Sequence, residues 1–190
     1  MTKKTLYQTL EDREDPQYIE DNGPFKCTWE NTWLGPGYYF WDTFVENAHW
    51  WGHQRYNKNH VICKHTCEVD DKNCFDLVGN TDHLTLFSES VAFLRSKNMI
   101  KENTTLPRVL AMLKKTGFEY EAIRVSGVNS ISKSNIEYSE YIKRINFESG
   151  RGQYLDYRPP IQICVFKPNG LNLSSAEIVF PDHYNSSYTI

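Results

Sequence analysis

The stretch Leu34-Gly-Pro-Gly37-Tyr-Tyr39-Phe-Trp-Asp42-Thr43-Phe-Val-Glu46-Asn-Ala48-His-Trp50-Trp51 decides how this 190-residue chain is read. Gly35 and Gly37 flank a proline, so the backbone can turn tightly and approach a ligand where a side chain would block it. The aromatics that follow alternate as a short buried strand does. Thr43-Phe-Val-Glu46 then reads as a capping box opening a helix, with the threonine hydroxyl and the glutamate carboxylate on free backbone N–H groups. Within that helix Phe44, Ala48 and Trp51 fall at i, i+4 and i+7, one apolar stripe. Trp50 lies about 100° around the axis from Trp51 and points off the stripe, where it can stack on a flat ring. A glycine turn, a strand and a capped helix make a crevice walled by aromatic faces, or else an aromatic-rich core segment, since aromatics are ordinary core material.

Outward from this stretch, the pattern predicts an α+β fold in a single domain over 1–190. Asp15 to Gly23 reads as a short helix with an asparagine-glycine stop. From Asn59 to Val69 the chain is extended, with Val61, Cys63, His65, Cys67 and Val69 on one face. Phe75-Asp-Leu77 continues or repeats that strand. Leu84, Phe87, Val91 and Leu94 mark one amphipathic helix, and Leu106, Val109, Leu110 and Leu113 a second, with Pro107 in its first turn. Phe118 to Val125, Ile161 to Val165 and Ile178 to Phe180 read as strands. Gly127 to Asn135 and Ser149 to Pro160 read as the longest loops.

Composition narrows the function classes. A net charge of -3 without a long run of one sign does not demand nucleic acid or a membrane surface. No apolar stretch is long enough to span a bilayer, and no secretory signal follows Met1-Thr-Lys-Lys-Thr5. The five irregularly spaced cysteines suit a reducing compartment better than a disulfide scaffold, so a cytoplasmic location is expected. Without a secretory route the Asn-x-Ser/Thr triplets at Asn103, Asn172 and Asn185 carry little. No metal site is expected. Cys63, His65 and Cys67 alternate along a strand, which spreads them about 7 Å apart, with Cys74 nearby but off zinc-knuckle spacing. His49 and His53 stand at i, i+4, but no glutamate follows His49 to act as the base of a metalloprotease pair.

Leu34-Gly35-Pro-Gly37-Tyr-Tyr39-Phe40, followed by Asp42 and Asn47-Ala48, resembles the nicotinamide-binding segment of ADP-ribosyltransferases of the poly(ADP-ribose) polymerase and diphtheria-toxin type, and many bacterial relatives share such a segment. Thr5-Leu6-Tyr7-Gln8-Thr9 is similar to that family's first strand, and Pro160-Ile161-Gln162-Ile163-Cys164-Val165 to its late catalytic strand. The resemblance implies a split β-sandwich of two small, mostly antiparallel sheets flanked by helices. It also implies NAD as substrate and a protein, a nucleic acid or water as ADP-ribose acceptor. By the same resemblance Gly37 hydrogen-bonds the nicotinamide amide, Tyr39 stacks on the ring, and Trp50 is the second stacking aromatic. Tyr7, Thr9, Tyr38, Phe40 and Asn47 complete the implied NAD site.

The family's catalytic positions read His-Tyr-Glu; this chain has Gln8, Tyr39 and Gln162. Gln8 keeps a donor and an acceptor. Gln162 keeps a hydrogen bond but not the charge that opposes an oxocarbenium ion. Glu148 and Asp156, in the loop before the late strand, are the candidate substitutes. That loop, Ser149 to Pro160, is where the family keeps a target-recognition loop, with Arg151 and Arg158 available to a phosphate. Three expectations follow: an NAD-dependent transferase or NAD glycohydrolase, a catalytically weak or inactive domain that binds NAD or ADP-ribose, and a protein-interaction module using the aromatic patch.

Overall fold

The computed structural model of the chain describes residues 1–127 and 143–185; the expected loop at Gly127 to Asn135 lies outside them beyond Gly127. Three strands form the centre: β1 (Thr2–Glu11), β2 (Tyr38–Asp42) and β3 (His60–Val69). The alternation expected along β3 is present, with Val61, Cys63, His65, Cys67 and Val69 all buried. β3 pairs antiparallel with the whole of β1, from Thr2 opposite Val69 to Glu11 opposite His60. With β4 (Cys74–Asp76), β5 (Ala122–Ser126), β8 (Ile161–Val165) and β9 (Glu177–Phe180) they make one seven-stranded sheet, ordered β4-β5-β8-β2-β1-β3-β9. Only the β4–β5 pairing in it is parallel. A hairpin of β6 (Arg144–Asn146) and β7 (Tyr154–Asp156) stands apart, with β7 inside the Ser149 to Pro160 segment expected to be a loop and β6 before it.

Four α-helices among the described residues accompany the sheet: α1 (Pro16–Asn22), α2 (Val45–Tyr56), α3 (Thr81–Ser96) and α4 (Leu106–Leu113). The protein is therefore α+β as expected. On one face of the sheet Leu6, Phe40, Cys67, Ile163 and Val165 pack together under Leu171. Ile19 of α1 covers Val61, Cys63 and Ile178. The opposite face carries Tyr39, Ile123 and Cys164 against Leu110 of α4 and Phe87 of α3, and Trp41 and Ile62 against Ala48 of α2. Each fully buried side chain of the size of Phe40 or Leu6 contributes about 1.5–3 kcal/mol relative to exposure. Phe118 and Tyr120 precede β5 rather than belonging to it, and their rings pack on Phe75. No helix among the described residues is long and apolar enough to cross a membrane.

The two separate sheets expected from the sequence are thus joined, but narrowly. β1 and β2 share only two residue pairs, Leu6 with Asp42 and Tyr7 with Trp41. Beyond Tyr7 the strands part, leaving β4-β5-β8-β2 on one side and β1-β3-β9 on the other. A charge network closes the joint. Buried Asp42 accepts from Arg124 Nε at 2.7 Å and from Lys4 Nζ at 3.4 Å, and Arg124 Nη1 reaches both oxygens of Asp76 at 3.1 Å. Burial alone would raise the Asp76 pKa; the Val78 amide and the Arg124 charge hold it below the usual value. Removing one partner of a buried pair strands the other charge, a cost of about 3–5 kcal/mol.

The capping box does not form. Thr43 sits in the left-handed region at φ 69°, where an N-cap residue would be extended, and its hydroxyl donates to Asp42 at 2.8 Å. α2 begins after Phe44 with no side-chain cap, and Glu46 pairs with Arg158 at 2.8 Å. The helix is also rotated from the expected Phe44–Ala48–Trp51 stripe: its buried positions are Asn47, Ala48 and Gly52. Gly52 sets that rotation, because a Cβ there would run into the His60 ring. The bare helix backbone accepts an imidazole where a large apolar residue was expected.

His60 is buried with neither ring nitrogen hydrogen-bonded, stacked on Phe180 at 4.9 Å and flanked by His49 and His53 at 5.7 and 5.4 Å. Burial first, then His49 and His53, lower its pKa from 6.5 to about 4; Lys58 backbone and Asp12 oppose this weakly. Because the folded pKa lies below the unfolded one, the stabilisation is complete above pH 6.5 and is lost as pH falls towards 4.

Two outcomes are expected in urea denaturation. Arg124→Gln lowers stability by about 3–5 kcal/mol at pH 7, much more than the exposed Arg13→Gln does. Wild-type stability declines from pH 7 to pH 5, and His60→Phe flattens that decline; an equal decline in both proteins would show that His60 does not cause it.

Candidate functional site

The parting of β1 from β2 opens a cavity of about 470 Å³, within the range of small-molecule sites. Gln8, Thr9 and Leu10 of β1 form one wall, and Tyr39, Phe40 and Trp41 of β2 with Gln162 of β8 form the facing one. Trp51, Arg55 and Tyr56 of α2 and the 25–33 segment complete it. Successive strand residues point to opposite faces, so a cavity lined by both Gln8 and Thr9, and by both Phe40 and Trp41, occupies the gap between the strands rather than one face of the sheet.

Strands that part leave backbone groups without ladder partners, and two side chains take over. The Gln8 amide behaves as a missing peptide: its Nε2 donates to the Phe25 carbonyl and its oxygen accepts from the Phe25 amide, both at 2.8 Å. The Tyr39 hydroxyl accepts from the Leu34 amide at 2.8 Å and donates to the Gly35 carbonyl at 2.7 Å. Burial pushes the Tyr39 phenol well up, so it stays a neutral donor. Both clamps hold the 25–37 segment over the gap. Gly35 makes the turn at φ 87°, and Gly37 lies where a Cβ would clash with the Cys164 sulfur. Burial takes the Cys164 thiol up to about 12, which keeps it un-ionised behind the Tyr39 ring.

The three implied catalytic positions, Gln8, Tyr39 and Gln162, meet at this one cavity, and Thr9 and Phe40 line it too. The hydroxyl of Thr9 is committed to the Ala48 carbonyl at 2.9 Å. Gln162 has no side-chain hydrogen bond among the described residues and is the amide left available.

The other implied residues are not brought to the cavity. Trp50, partly buried, packs edge-on against Trp41 at 6.2 Å, and Trp51 takes the lining position instead, a consequence of the rotation that Gly52 allows. The Gly37 backbone is paired in both directions with Cys27, at 2.8 and 3.1 Å. Tyr38 points to the opposite sheet face, Tyr7 packs in the Trp41 cluster, and Asn47 donates to the Pro159 carbonyl at 3.2 Å. Neither candidate substitute carboxylate lines the cavity: Glu148 pairs with Arg151 at 3.4 Å, and Asp156 lies 3.9 Å from Arg144. Arg151 and Arg158 are likewise engaged, with Glu148 and Glu46.

Sequence reasoning missed the 25–33 segment, which contributes Phe25, Lys26, Cys27, Trp29, Asn31, Thr32 and Trp33 to the lining. The cluster of tryptophans at 29 and 33 was the available signal. Among the described residues no group of three His, Cys, Asp or Glu side chains is arranged to hold a metal ion. Comparison with known protein families, curated proteins and solved structures finds no match for this chain.

Gln8→Glu is expected to destabilise the fold by about 1–3 kcal/mol, because a carboxylate cannot donate to the Phe25 carbonyl. It should also shift the tryptophan emission of Trp29 and Trp33 as the segment lifts. Unchanged emission and stability would show that the amide clamp is not what holds it.

Proposed function

We propose that this cavity binds NAD and that the chain is an NAD-dependent ADP-ribosyltransferase or NAD glycohydrolase built on a divergent ADP-ribosyltransferase-like split sandwich. The observation that carries the reading is the meeting of Gln8, Tyr39 and Gln162, distant in sequence, at one cavity of suitable size. The parting of the sheet between β1 and β2 supports the fold assignment. In this reading the nicotinamide ring lies against Tyr39 and Trp51, and the Gln162 amide holds a ribose hydroxyl. Gln8 acts by positioning the 25–37 segment rather than by touching the ribose, since its donor and acceptor are both used on Phe25.

The reaction breaks the bond between ribose C1′ and the pyridinium nitrogen. The electron pair goes to nicotinamide, which leaves neutral, and a lone pair of the acceptor or of water closes on C1′ while the acceptor's proton passes to solvent. The cavity's contribution is to orient the ring and the ribose and to restrict water. Opposing the developing positive charge is the part it does poorly. No carboxylate is among the described lining residues, and losing one preorganised electrostatic partner costs on the order of 10²–10³ in rate. That observation favours a second reading, in which the domain binds NAD or ADP-ribose with little or no turnover.

Titration calorimetry with NAD together with an assay for released nicotinamide separates the readings. Binding that Tyr39→Ala abolishes, with nicotinamide released above the uncatalysed rate, supports the enzyme. Binding without release supports the second reading, and a folded wild type that binds neither NAD nor ADP-ribose ends both.

A further inference from the structure

The cavity holds a pair of cations that nothing in the nicotinamide reading uses. Lys26 and Arg55 both line it, and no carboxylate does among the described residues. Neither cation has a carboxylate partner among the described residues. Glu11, which acts on the neighbouring Tyr56, is bonded to Arg13 at 2.9 and 3.1 Å. The Arg55 guanidinium lies 4.4 Å above the Trp29 ring. Stacking on an indole fixes the plane of the guanidinium and leaves its N–H edge free, the geometry that takes two oxygens of a phosphate. Lys26, on the 25–33 segment, adds a compact charge to the lining of the same cavity.

We propose that Lys26 and Arg55 form a phosphate subsite, and that the ligand of this cavity is a small nucleotide carrying a diphosphate, with the half-exposed Trp33 offering a stacking surface for its base. The inference rests on the cavity being the ligand site, as in the proposed function, but not on nicotinamide. A cavity of about 470 Å³ and a chain of net charge -3 fit a small nucleotide rather than a polynucleotide. Lys26 and Arg55 are both exposed, and cations beside an otherwise uncharged lining raise the local concentration of anions. Arg55 is one helical turn along α2 from Trp51, so a ligand that fills the inner cavity with a ring presents its phosphates to the guanidinium without bending back.

The test is calorimetry on the full chain with ADP, ADP-ribose, adenosine and nicotinamide, each at low and at high salt. ADP and ADP-ribose are expected to bind at least about tenfold more tightly than adenosine, and only they should weaken as salt rises. Arg55→Gln and Lys26→Gln are each expected to cost about tenfold in ADP affinity with adenosine and the melting temperature unchanged, and Arg55→Lys should recover part of the loss. Equal wild-type affinity for ADP and adenosine, or full ADP affinity in both glutamine variants, would overturn the proposal. Should a variant fail to fold, the wild-type contrast between ADP and adenosine, with its salt dependence, decides alone. ADP binding without nicotinamide or NAD binding would end the nicotinamide reading and leave this subsite standing. Nicotinamide binding with no preference for phosphate would do the reverse.

Discussion

The buried carboxylate of Asp42 is the point on which the architecture turns. β1 and β2 are joined by two residue pairs, and Asp42 occupies one of them. Its ion pairs reach Lys4 on β1 and Arg124 on β5, and Arg124 carries the connection on to Asp76 of β4. One charge network thus ties the three-stranded side of the sheet to the four-stranded side beside the short ladder that pairs them. A longer β1–β2 ladder would have made the joint without charges, but it would also have closed the gap in which the cavity lies. The network permits a short ladder, and the short ladder permits a site.

Opening a sheet exposes backbone polar groups, and the way they are satisfied determines what the cavity can do. Gln8 spends its donor and acceptor on Phe25, and Tyr39 spends its hydroxyl on Leu34 and Gly35. Both therefore shape the cavity while leaving ring faces and Gln162 for a ligand. The lining that results is aromatic and amide-rich on the inside and cationic at Lys26 and Arg55. Such a surface is better suited to holding flat rings and anions than to stabilising a cation formed by bond cleavage. The tension between the proposed nicotinamide–ribose site and a lining without a carboxylate among the described residues follows directly from these residue types.

α2 shows how one small residue redirects a function-bearing element. Gly52 lets the His60 ring press onto the helix backbone, and His60 in turn stacks on Phe180. That contact sets the rotation of the helix, sending Trp50 against Trp41, and Trp51 and Arg55 to the cavity. The same contact buries an imidazole without hydrogen bonds, so the stability of the helix that bears three cavity residues is linked to pH.

Much of the chain's local structure was legible in its amino-acid order. The alternation of β3, the late strand Ile161–Val165, the α1 stop at Gly23 and the Pro107 start of α4 are all local signals, because backbone dihedrals and side-chain period are properties of neighbouring residues. The order also marked Gln8, Tyr39 and Gln162. What it could not express is which groups compensate one another across space. That Thr43 would turn to Asp42 instead of the helix, that Gly37 would already be paired with Cys27, and that Trp51 would replace Trp50 were settled by contacts between segments far apart in the chain. The 25–33 wall of the cavity was decided in the same way, since its position depends on a glutamine of β1 standing in for a peptide that β2 does not supply.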